Sequence, residues 1–354
     1  MNINDLRKAI DGIDLKILEL LNKRAEAALE IGKLKESTKK SFFAPERERQ
    51  VLSKLTSANK GPLPSTALRA IYREIISASR ALEKPLTIAY WGPPATNTHM
   101  ASIQKFGSSC TFVPMDAIPD VFSEVERERA DFGVVPIENS TEGVINHTLD
   151  TFITTNMRIC SEVYLPITHF LLSHAASLGE VKRVYSIPTA TAQCRNWLRT
   201  NLPSVEIVDV STTAKGAQLC AEERGSAAIA TSLAAEVYGL GILAEHIEDN
   251  PQNRTRFLII GYNEPGPSGK DKTSLMFSVS HKSGSLFKAL SAFEKYDINL
   301  TMIESRPTKL TPWEYVFFVD CQGHVKDAPI QKALEALSEY SLFVTVLGSY
   351  PEAE

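Results

Sequence analysis

A polar cluster follows one apolar run in the middle of the sequence, at a position suited to ligand binding. The run 132–137 predicts a buried strand, and Glu138, Asn139 and Ser140 follow it directly. An amphipathic segment with helical spacing comes next. Amide and hydroxyl side chains at the carboxyl end of a strand, beside a helix start, are typical of ligand sites in open α/β sheets, especially for anions. The alternative is a capped helix without a ligand, because Asn, Ser and Thr also cap helices.

Two cations share one face of a predicted N-terminal helix over residues 4–36. Arg24 fills a gap in an apolar series, and Lys35 lies eleven residues later, about three turns, on nearly the same face. An unpaired buried charge is costly. The alternative, that Arg24 extends to water, does not explain the second cation, so the pair predicts a pocket for a dianion. The apolar series is Leu6, Ile10, Ile13, Ile17, Leu20, Ala27, Ile31 and Leu34.

Arg7 does not belong to the same pocket within one chain. It precedes Arg24 by seventeen residues, about 100° around the helix. The predicted helix is also about 45–50 Å long, too long for the segment 1–84 to cover alone. Two copies packed together cover it, and Arg7 then serves the partner's pocket. We therefore expect a homodimer or a higher homo-oligomer.

Strand and helix patterns alternate through residues 86–263, which predicts an α/β region with largely parallel strands. A linker rich in Pro, Gly and Ser follows at 265–272. Beyond it the order of elements is βαββαβ, the α+β ferredoxin-like pattern. That fold implies no function by itself.

The bulk composition excludes several classes of protein. The length of 354 residues suggests two or three domains, and a net charge of −4 gives no support for nucleic-acid binding. The five cysteines are scattered and the seven histidines form no HExxH pattern, so we expect no metal site and no disulfide framework. Without a membrane-spanning run or a signal peptide, the expected location is the cytoplasm, with no membrane partner.

Several stretches together resemble one enzyme family. Residues 133–143, Gly-Val-Val-Pro-Ile-Glu-Asn-Ser-Thr-Glu-Gly, resemble the signature of prephenate dehydratases, and 253–258 resembles their Thr-Arg-Phe motif. Residues 1–84 resemble an all-helical chorismate mutase, and 271–350 an ACT regulatory domain. The whole chain thus resembles the bifunctional chorismate mutase–prephenate dehydratases of phenylalanine biosynthesis. The resemblance implies conversion of chorismate to prephenate and then to phenylpyruvate, inhibition by phenylalanine, and no metal or organic cofactor.

The resemblance to helical chorismate mutases implies a pocket in which arginines clamp the carboxylates of chorismate. Lys35 and Glu83 would face the ether oxygen, which gains negative charge in the transition state. An ionised Glu83 has no proton to donate, so it must be protonated to help. Ala44 departs from relatives that carry an acid there, which puts one hydroxyl contact in doubt. The implied pocket residues are Arg7 from the partner, Arg24, Lys35, Arg47, Glu48, Ser79 and Glu83.

The resemblance to prephenate dehydratases implies two lobes, similar to periplasmic binding proteins, with the site in the cleft. The first lobe is expected at 86–165 plus 248–263, and the second at 166–247. Thr255 is the expected hydrogen-bond partner of the departing ring hydroxyl, and Arg256 is expected to hold a carboxylate of prephenate. The other expected cleft residues are Thr98, Glu138, Asn139, Ser140, Ser186, Gln193, Thr212 and Thr213.

Some positions near the expected cleft depart from the family pattern. Relatives commonly read Gly-Pro-Glu-Gly-Thr-Phe where residues 92–97 read Gly-Pro-Pro-Ala-Thr-Asn, so Asn97 replaces Phe. They commonly have His and Gln where this chain has Ile187 and Thr189. Two alternatives therefore stay open, namely a preference for arogenate and a ligand sensor without catalysis. The retained polar cluster and Thr-Arg-Phe motif favour catalysis.

The resemblance to ACT domains implies an allosteric phenylalanine site in the C-terminal segment. Gly284 would let the backbone approach an amino acid at a helix start. The alternative is a turn glycine and an ion pair at the end of a strand. The implied effector residues are Gly284, Ser285, Leu286, Glu304, Ser305, Arg306 and Pro307.

Overall fold

Three long helices form the N-terminal part of the chain. In the computed structural model, which describes residues 2–38, 41–308 and 314–353, the first helix is uninterrupted over 36 residues, about 54 Å at 1.5 Å per residue. Within these ranges no helix is long and apolar enough to cross a membrane. The helices are α1 (Ile3–Thr38), α2 (Pro45–Ala58) and α3 (Ser65–Glu83).

A single chain covers only one flank of α1. Its buried residues, Ala28 and Gly32, share the face that packs on α3. Arg24 and Lys35 lie on this flank, and not in the middle of a covered apolar stripe as expected from their spacing. An exposed apolar row this long is typical of an interaction surface. The exposed apolar residues include Leu6, Ile10, Ile13, Ile17, Leu20, Ile31 and Leu34.

Eleven strands of the central region form two sheets. The strands are β1 (Thr87–Trp91), β2 (Thr111–Met115), β3 (Phe132–Asn139), β4 (Gly143–Val144), β5 (Arg158–Pro166), β6 (Phe170–Ser173), β7 (Arg183–Ser186), β8 (Glu206–Asp209), β9 (Ser226–Ala230), β10 (Gly241–Ala244) and β11 (Arg254–Gly261). The first sheet has the order β2-β1-β3-β11-β5, with β4 beside β3. The second sheet has the order β10-β6-β9-β7-β8.

Each central sheet is mixed. The strands β1, β2 and β3 are mutually parallel, and so are β7, β8 and β9. Antiparallel partners join both sets, so the prediction of largely parallel strands holds only for part of each sheet. The helices of this region are α4 (Asn97–Phe106), α5 (Ile118–Glu126), α6 (Asn146–Phe152), α7 (Pro188–Gln193), α8 (Arg195–Asn201), α9 (Thr213–Glu222) and α10 (Ser232–Tyr238).

The strand β11 returns to the first sheet after the chain has built the second. It runs antiparallel between β3 and β5. Since its residues 257–260 are almost fully buried, its apolar side chains tie the two ends of the central region into one core.

Four antiparallel strands and two helices form the C-terminal region, in the sheet order β13-β14-β12-β15. The strand β15 packs on β5 of the first central sheet. A side chain at Gly348 would collide with the backbone of Ile159, so glycine permits this close approach. The elements are β12 (Asp271–Ser278), α11 (Ser285–Glu294), β13 (Leu300–Pro307), β14 (Tyr315–Gln322), α12 (Ala328–Tyr340) and β15 (Phe343–Pro351).

The segment before α2 anchors the helices to the central region. Phe43 is fully buried, and its ring centroid lies 5.0 Å from those of both Phe106 and Phe132. The side-chain amide of Asn263 also donates to the Phe43 carbonyl at 2.8 Å. Helix α2 therefore starts from the core of the first sheet.

Replacing Phe43 by alanine tests this anchor. We expect Phe43→Ala to lower the free energy of unfolding by about 3–5 kcal/mol, because the cavity it leaves is surrounded by packed rings. Urea unfolding of the full chain measures the change, with Leu63→Ala, at a 42% exposed position, as the matched control. A loss for Phe43→Ala no greater than the control's contradicts an anchoring role.

Candidate active sites and effector region

Two polar contacts join α1 to α3. Lys35 Nζ lies 2.8 Å from Glu83 Oε2, and the Glu83 side chain is only 8% exposed. One turn earlier on α3, the guanidinium of Arg24 donates to Ser79 Oγ, and it lies 3.5 Å from the Ile75 carbonyl oxygen. The structure thus brings together four of the expected mutase residues, with two cations on one flank.

Gly32 sets the spacing of these contacts, although the sequence pattern did not single it out. A Cβ at this position would lie 3.1 Å from Cγ of Glu83 and 3.3 Å from its Cα. Glycine inside a helix costs stability relative to alanine, which is the signal that could have revealed it. Its role here is to let α1 approach α3.

Glu48 and Arg47 do not join this cluster in the single chain. Glu48 Oε1 pairs with Arg80 at 3.0 Å, and Arg80 also donates to the Phe106 carbonyl at 2.7 Å. Since Ser79 and Arg80 are about 100° apart around α3, Glu48 lies on a different flank. Arg47 is exposed.

Arg7 is also remote from the cluster. It is exposed near the start of α1, about 26 Å before Arg24 along the helix axis at 1.5 Å per residue. Helix α1 is continuous between them. Within one chain, Arg7 therefore cannot contact a ligand held at Arg24.

The carboxyl ends of the parallel strands in the two central sheets face each other. Thr231, directly after β9, donates its hydroxyl to the carbonyl of Ala95, in the loop after β1, at 2.7 Å. Gln193 at the end of α7 donates to Glu142 Oε1 at 3.2 Å. Because these contacts bridge the two edges, the polar residues that follow the strands of both sheets lie along one junction.

Asn139 is the centre of the polar cluster on the first edge. Its Nδ2 lies 2.8 Å from Thr255 Oγ1 and 2.9 Å from Asn253 Oδ1. Its Oδ1 accepts from the backbone N–H groups of Thr141 and Glu142, both at 2.9 Å. Since Thr255 Oγ1 accepts from Asn139, its own O–H proton remains available to a ligand.

Ser140 and Asn253 complete this cluster. Ser140 Oγ lies 3.3 Å from Asn253 Oδ1 and accepts from the Arg254 N–H at 3.0 Å. Asn253 is 2% exposed and was not among the expected site residues. Its place at the start of the Thr-Arg-Phe motif was the available signal. Glu138 is half-buried beside the cluster.

The other expected cleft residues line the edges without touching this cluster. Ser186 ends β7, and Thr98 is in the first turn of α4. Thr212 caps α9 by accepting from Lys215 N at 3.0 Å, and Thr213 follows it. In the described ranges, no hydrogen bond joins their side chains to Asn139 or Thr255.

A buried histidine orients Gln193. His169 Nε2 lies 2.8 Å from Gln193 Oε1, and the backbone N–H of His169 donates to Glu248 Oε2 at 2.8 Å. Burial lowers the pKa of His169, so the neutral ring donates its proton to the Gln193 oxygen. The Gln193 amide nitrogen is thereby left to face Glu142. The sequence pattern gave no indication of His169.

Ala95 has a left-handed backbone, with φ of 68°, at a position where the related motif commonly has glycine. Its N–H donates to His99 Nδ1 at 3.1 Å, and the His99 ring stacks on Tyr90 with centroids 4.6 Å apart. Burial lowers the pKa of His99, which keeps the ring neutral and Nδ1 able to accept. These contacts hold the strained loop in place.

Arg256 faces away from the cleft, which differs from the expected role of holding a substrate carboxylate. Its guanidinium is 2.7 Å from Glu162 Oε2, 2.5 Å from Asp320 Oδ2 and 3.0 Å from the Tyr350 hydroxyl. Successive residues of a strand point to opposite faces. Because Thr255 faces Asn139, its neighbour Arg256 faces the C-terminal sheet.

The two expected effector motifs lie in different surroundings. Gly284 has φ of 79° and precedes α11. Ser285 and Leu286 line a cavity of about 350 Å³. Arg306 instead forms a two-pronged ion pair with Asp150 of α6, at 2.8 and 3.1 Å.

Glu304 and Arg306 share the half-buried face of β13, whereas Ser305 and Pro307 point to solvent. The structure thus brings only the first motif to the cavity. The second motif has the ion pair named as the alternative, but that ion pair joins two regions of the chain.

Comparison with known proteins gives three family matches in chain order. They are chorismate mutase type II over residues 6–84, prephenate dehydratase over 88–265 and an ACT domain over 273–339. A bifunctional chorismate mutase/prephenate dehydratase from Aquifex aeolicus is 48% identical over 99% of this chain and 98% of its own length.

Solved structures match three quarters of the chain. A prephenate dehydratase from Arthrobacter aurescens in complex with L-Phe gives a TM-score of 0.71 at 35% identity, over 75% of this chain and 90% of its own. A quorum-quenching acylase gives 0.70 at 29% identity, over 75% and 97%. The fold alone therefore does not fix the reaction.

A helical mutase region, a two-sheet dehydratase region and an ACT domain in one chain define a multidomain, regulated enzyme. With a relative at 48% identity over nearly its whole length, the chain belongs to the bifunctional chorismate mutase/prephenate dehydratases.

The Gly32 contact predicts a specific effect on the mutase region. We expect Gly32→Val to lower mutase kcat/KM by about 10²-fold, because it displaces Glu83 and with it Lys35. The control is Gly12→Val on the same helix, where a Cβ meets no atom within 4 Å. Steady-state mutase rates compare the two variants, and equal rates contradict the spacing role of Gly32.

Proposed function

We propose that this chain rearranges chorismate to prephenate in the helical domain, 1–84, and converts prephenate to phenylpyruvate in the central domain, 86–263. Phenylalanine inhibits it through the ACT domain, 271–350. The main support for this proposal is that two separate clusters hold side chains suited to two different reactions. One is built around Arg24 and Lys35, and the other around Asn139 and Thr255.

The mutase reaction is a rearrangement within one molecule, so it needs no nucleophile and no proton transfer. The protein must hold a dicarboxylate compact and stabilise negative charge at the ether oxygen. Arg24 supplies a fork of donors for a carboxylate, and Lys35 supplies a compact charge. Within the chain these cations contact Ser79 and Glu83. We propose that chorismate inserts between these partners.

We propose that the mutase pocket is completed across a homodimer. The exposed apolar row of α1 supports this, and so does the distance from Arg24 to Arg7. A second α1 packed on the row brings a partner's Arg7 toward Arg24. The roles of Arg47 and Glu48 in substrate binding belong to the same proposal, since neither reaches the cluster within one chain.

The dehydratase reaction removes carbon dioxide and a ring hydroxyl together. The electron pair of the breaking carbon–carboxylate bond enters the ring as the hydroxyl leaves, and the ring becomes aromatic. The protein must donate a proton or a hydrogen bond to the departing oxygen. Thr255 retains its O–H proton for this role because Asn139 donates to its oxygen. The residues proposed to hold prephenate lie at the edges of both sheets. They are Thr98, Glu138 and Ser140 beside the first sheet and Ser186, Gln193, Thr212 and Thr213 beside the second.

At the level of the fold, we propose that the central domain is periplasmic-binding-protein-like. One lobe spans about 86–165 plus 248–263, and the other spans 166–247. The return of β11 to the first sheet supports this division. The βαββαβ order and all-antiparallel sheet of the ACT domain support a ferredoxin-like fold. We propose a cytoplasmic location, as for an enzyme of amino-acid biosynthesis.

Phenylalanine inhibition is proposed to begin at the cavity beside Gly284. A positive φ at the start of α11 and the polar lining from Ser285 suit the charged end of an amino acid. Leu286 and Phe317 supply apolar surface for its ring. Inhibition requires that phenylalanine bind the less active state more tightly.

Incubation with chorismate tests both activities in one experiment. We expect wild-type protein to form prephenate and then phenylpyruvate, whereas Thr255→Ala accumulates prephenate because its dehydratase turnover falls by roughly 10² or more. Arogenate supplied in parallel tests the alternative substrate. Turnover of arogenate alone supports that alternative, and binding of prephenate without turnover supports a sensor. An unchanged dehydratase rate in Thr255→Ala removes this residue from the mechanism.

Mixing two inactive proteins tests the shared mutase pocket. Arg7→Ala and Arg24→Ala are each expected to lose mutase activity, and a mixed dimer recovers one intact pocket. Subunit exchange, followed by a fluorescent label, should therefore restore about a quarter of the wild-type rate when exchange is complete, by random pairing of the two chains. Complete exchange without recovery contradicts the shared pocket.

A further inference from the structure

A buried cluster of charges joins the dehydratase domain to the ACT domain. Arg256 of β11 contacts Glu162 of β5 on one side and Asp320 of β14 on the other. Lys272 of β12 lies 3.0 Å from both carboxylate oxygens of Glu162. Tyr350 of β15 places its hydroxyl 3.0 Å from Arg256. The cluster thus spans the sheet of one domain and three strands of the other.

The charges in this cluster balance, with two cations and two carboxylates, and each of these side chains is at most 4% exposed. Burial alone would raise the pKa of Glu162, but Arg256 and Lys272 outweigh it and hold that pKa below its ordinary value. Glu162 therefore stays ionised near neutral pH between its two cations. Removing one partner leaves a buried charge without compensation.

The two sides of Arg256 are held differently. On the dehydratase side, Glu162 accepts a hydrogen bond from Arg256 Nε at 2.7 Å. On the ACT side, Asp320 Oδ2 lies 2.5 Å from one guanidinium nitrogen, and the Tyr350 hydroxyl accepts a hydrogen bond from another at 3.0 Å. The ACT domain therefore contacts Arg256 through side chains of two strands, β14 and β15, and a shift of its sheet against β11 changes both contacts.

Arg256 directly follows Thr255, whose hydroxyl is the proposed catalytic group. In the register of β11 with β3, Thr255 pairs with Asn139 and Arg256 pairs with Glu138. The register shifts immediately after Arg256, where a bulge interrupts the pairing. Bulges beside active sites re-aim side chains. Because Arg256 and Thr255 are adjacent and the pairing is interrupted just after Arg256, a displacement of Arg256 also displaces Thr255.

The strand that carries the second effector motif also contacts this residue. Met302 Sδ on β13 lies 3.8 Å from an Arg256 nitrogen. Further along the same strand, Arg306 pairs with Asp150 of α6, which follows the polar turn after β3. A shift of β13 therefore acts on β11, which carries Thr255, and on α6, which packs on the Asn139 strand β3.

We propose that Arg256 is a positioning residue of the dehydratase site, which fixes Thr255 in its active placement, and that Asp320 couples this placement to the ACT domain. The proposal rests on the proposed dehydratase function and on phenylalanine as its inhibitor. It assigns Arg256 no contact with substrate. The contact of Arg256 with Glu162 is the same in both effector states, and its contact with Asp320 is the one that the effector state changes.

Arg256→Lys and Asp320→Asn in the full-length chain test the proposal. Arg256→Lys keeps the charge but loses the fork, so we expect prephenate kcat to fall at least about tenfold with KM within about threefold. Asp320→Asn keeps the shape, and we expect the phenylalanine concentration for half-inhibition to change at least about fivefold. The unfolding midpoint of each variant reports its folding.

Lys272→Gln is the matched control, because it removes a charge from the same cluster and Lys272 contacts Glu162, not Arg256. We expect it to lower the unfolding midpoint but to keep the wild-type kcat and phenylalanine response. If all three variants change only the unfolding midpoint, the cluster is structural and the proposal is overturned.

If Arg256→Lys does not fold, Asp320→Asn decides by its phenylalanine response alone. Failure of the proposed function is recognised separately. Wild-type protein assayed in parallel would then show no turnover of prephenate, or no inhibition by phenylalanine.

Discussion

The antiparallel pairing of β11 with β3 is the constraint on which the rest of the dehydratase domain depends. It closes the first sheet with a strand that arrives only after the second sheet is complete. It also sets Asn139 opposite Thr255, so that an amide on one strand orients a hydroxyl on the next. The same pairing turns Arg256 to the opposite face, toward the ACT domain. One register therefore determines both the chemistry and its connection to the effector region.

Much of the domain order and part of both sites were predictable from the sequence. Asn139 stands in a polar cluster after a predicted strand, which local pattern alone leaves open to a capped helix, and Thr255 is selected by resemblance to the Thr-Arg-Phe motif. The orientation of Arg256 was within reach, since adjacent strand residues alternate in direction. Its carboxylate partners were not, because Glu162 and Asp320 are distant in sequence and are brought together only by the packing of two sheets. The same holds for His169 behind Gln193.

In the helical domain, periodicity identified the long helix but not the side that α3 covers. Apolar residues occur on more than one face of α1, so their spacing cannot distinguish an internal contact from an interface between chains. The flank that packs on α3 is marked instead by the small residues Ala28 and Gly32. The length of α1 is the sequence feature that favours an interface between chains, because a helix of 36 residues exceeds what α2 and α3 can cover.

The shared charge cluster also bears on how a feedback-resistant enzyme is engineered. A chain cut before Asp271 would retain Arg256 and Glu162, but it would lose Lys272, Asp320 and the hydroxyl of Tyr350. It would also uncover the face of β5 on which β15 packs. The ACT domain is in this sense part of the dehydratase scaffold and not a removable attachment. With phenylalanine bound as proposed, in the cavity beside Gly284, filling that cavity is the better route to desensitisation, because it leaves the ionic contact between the domains in place.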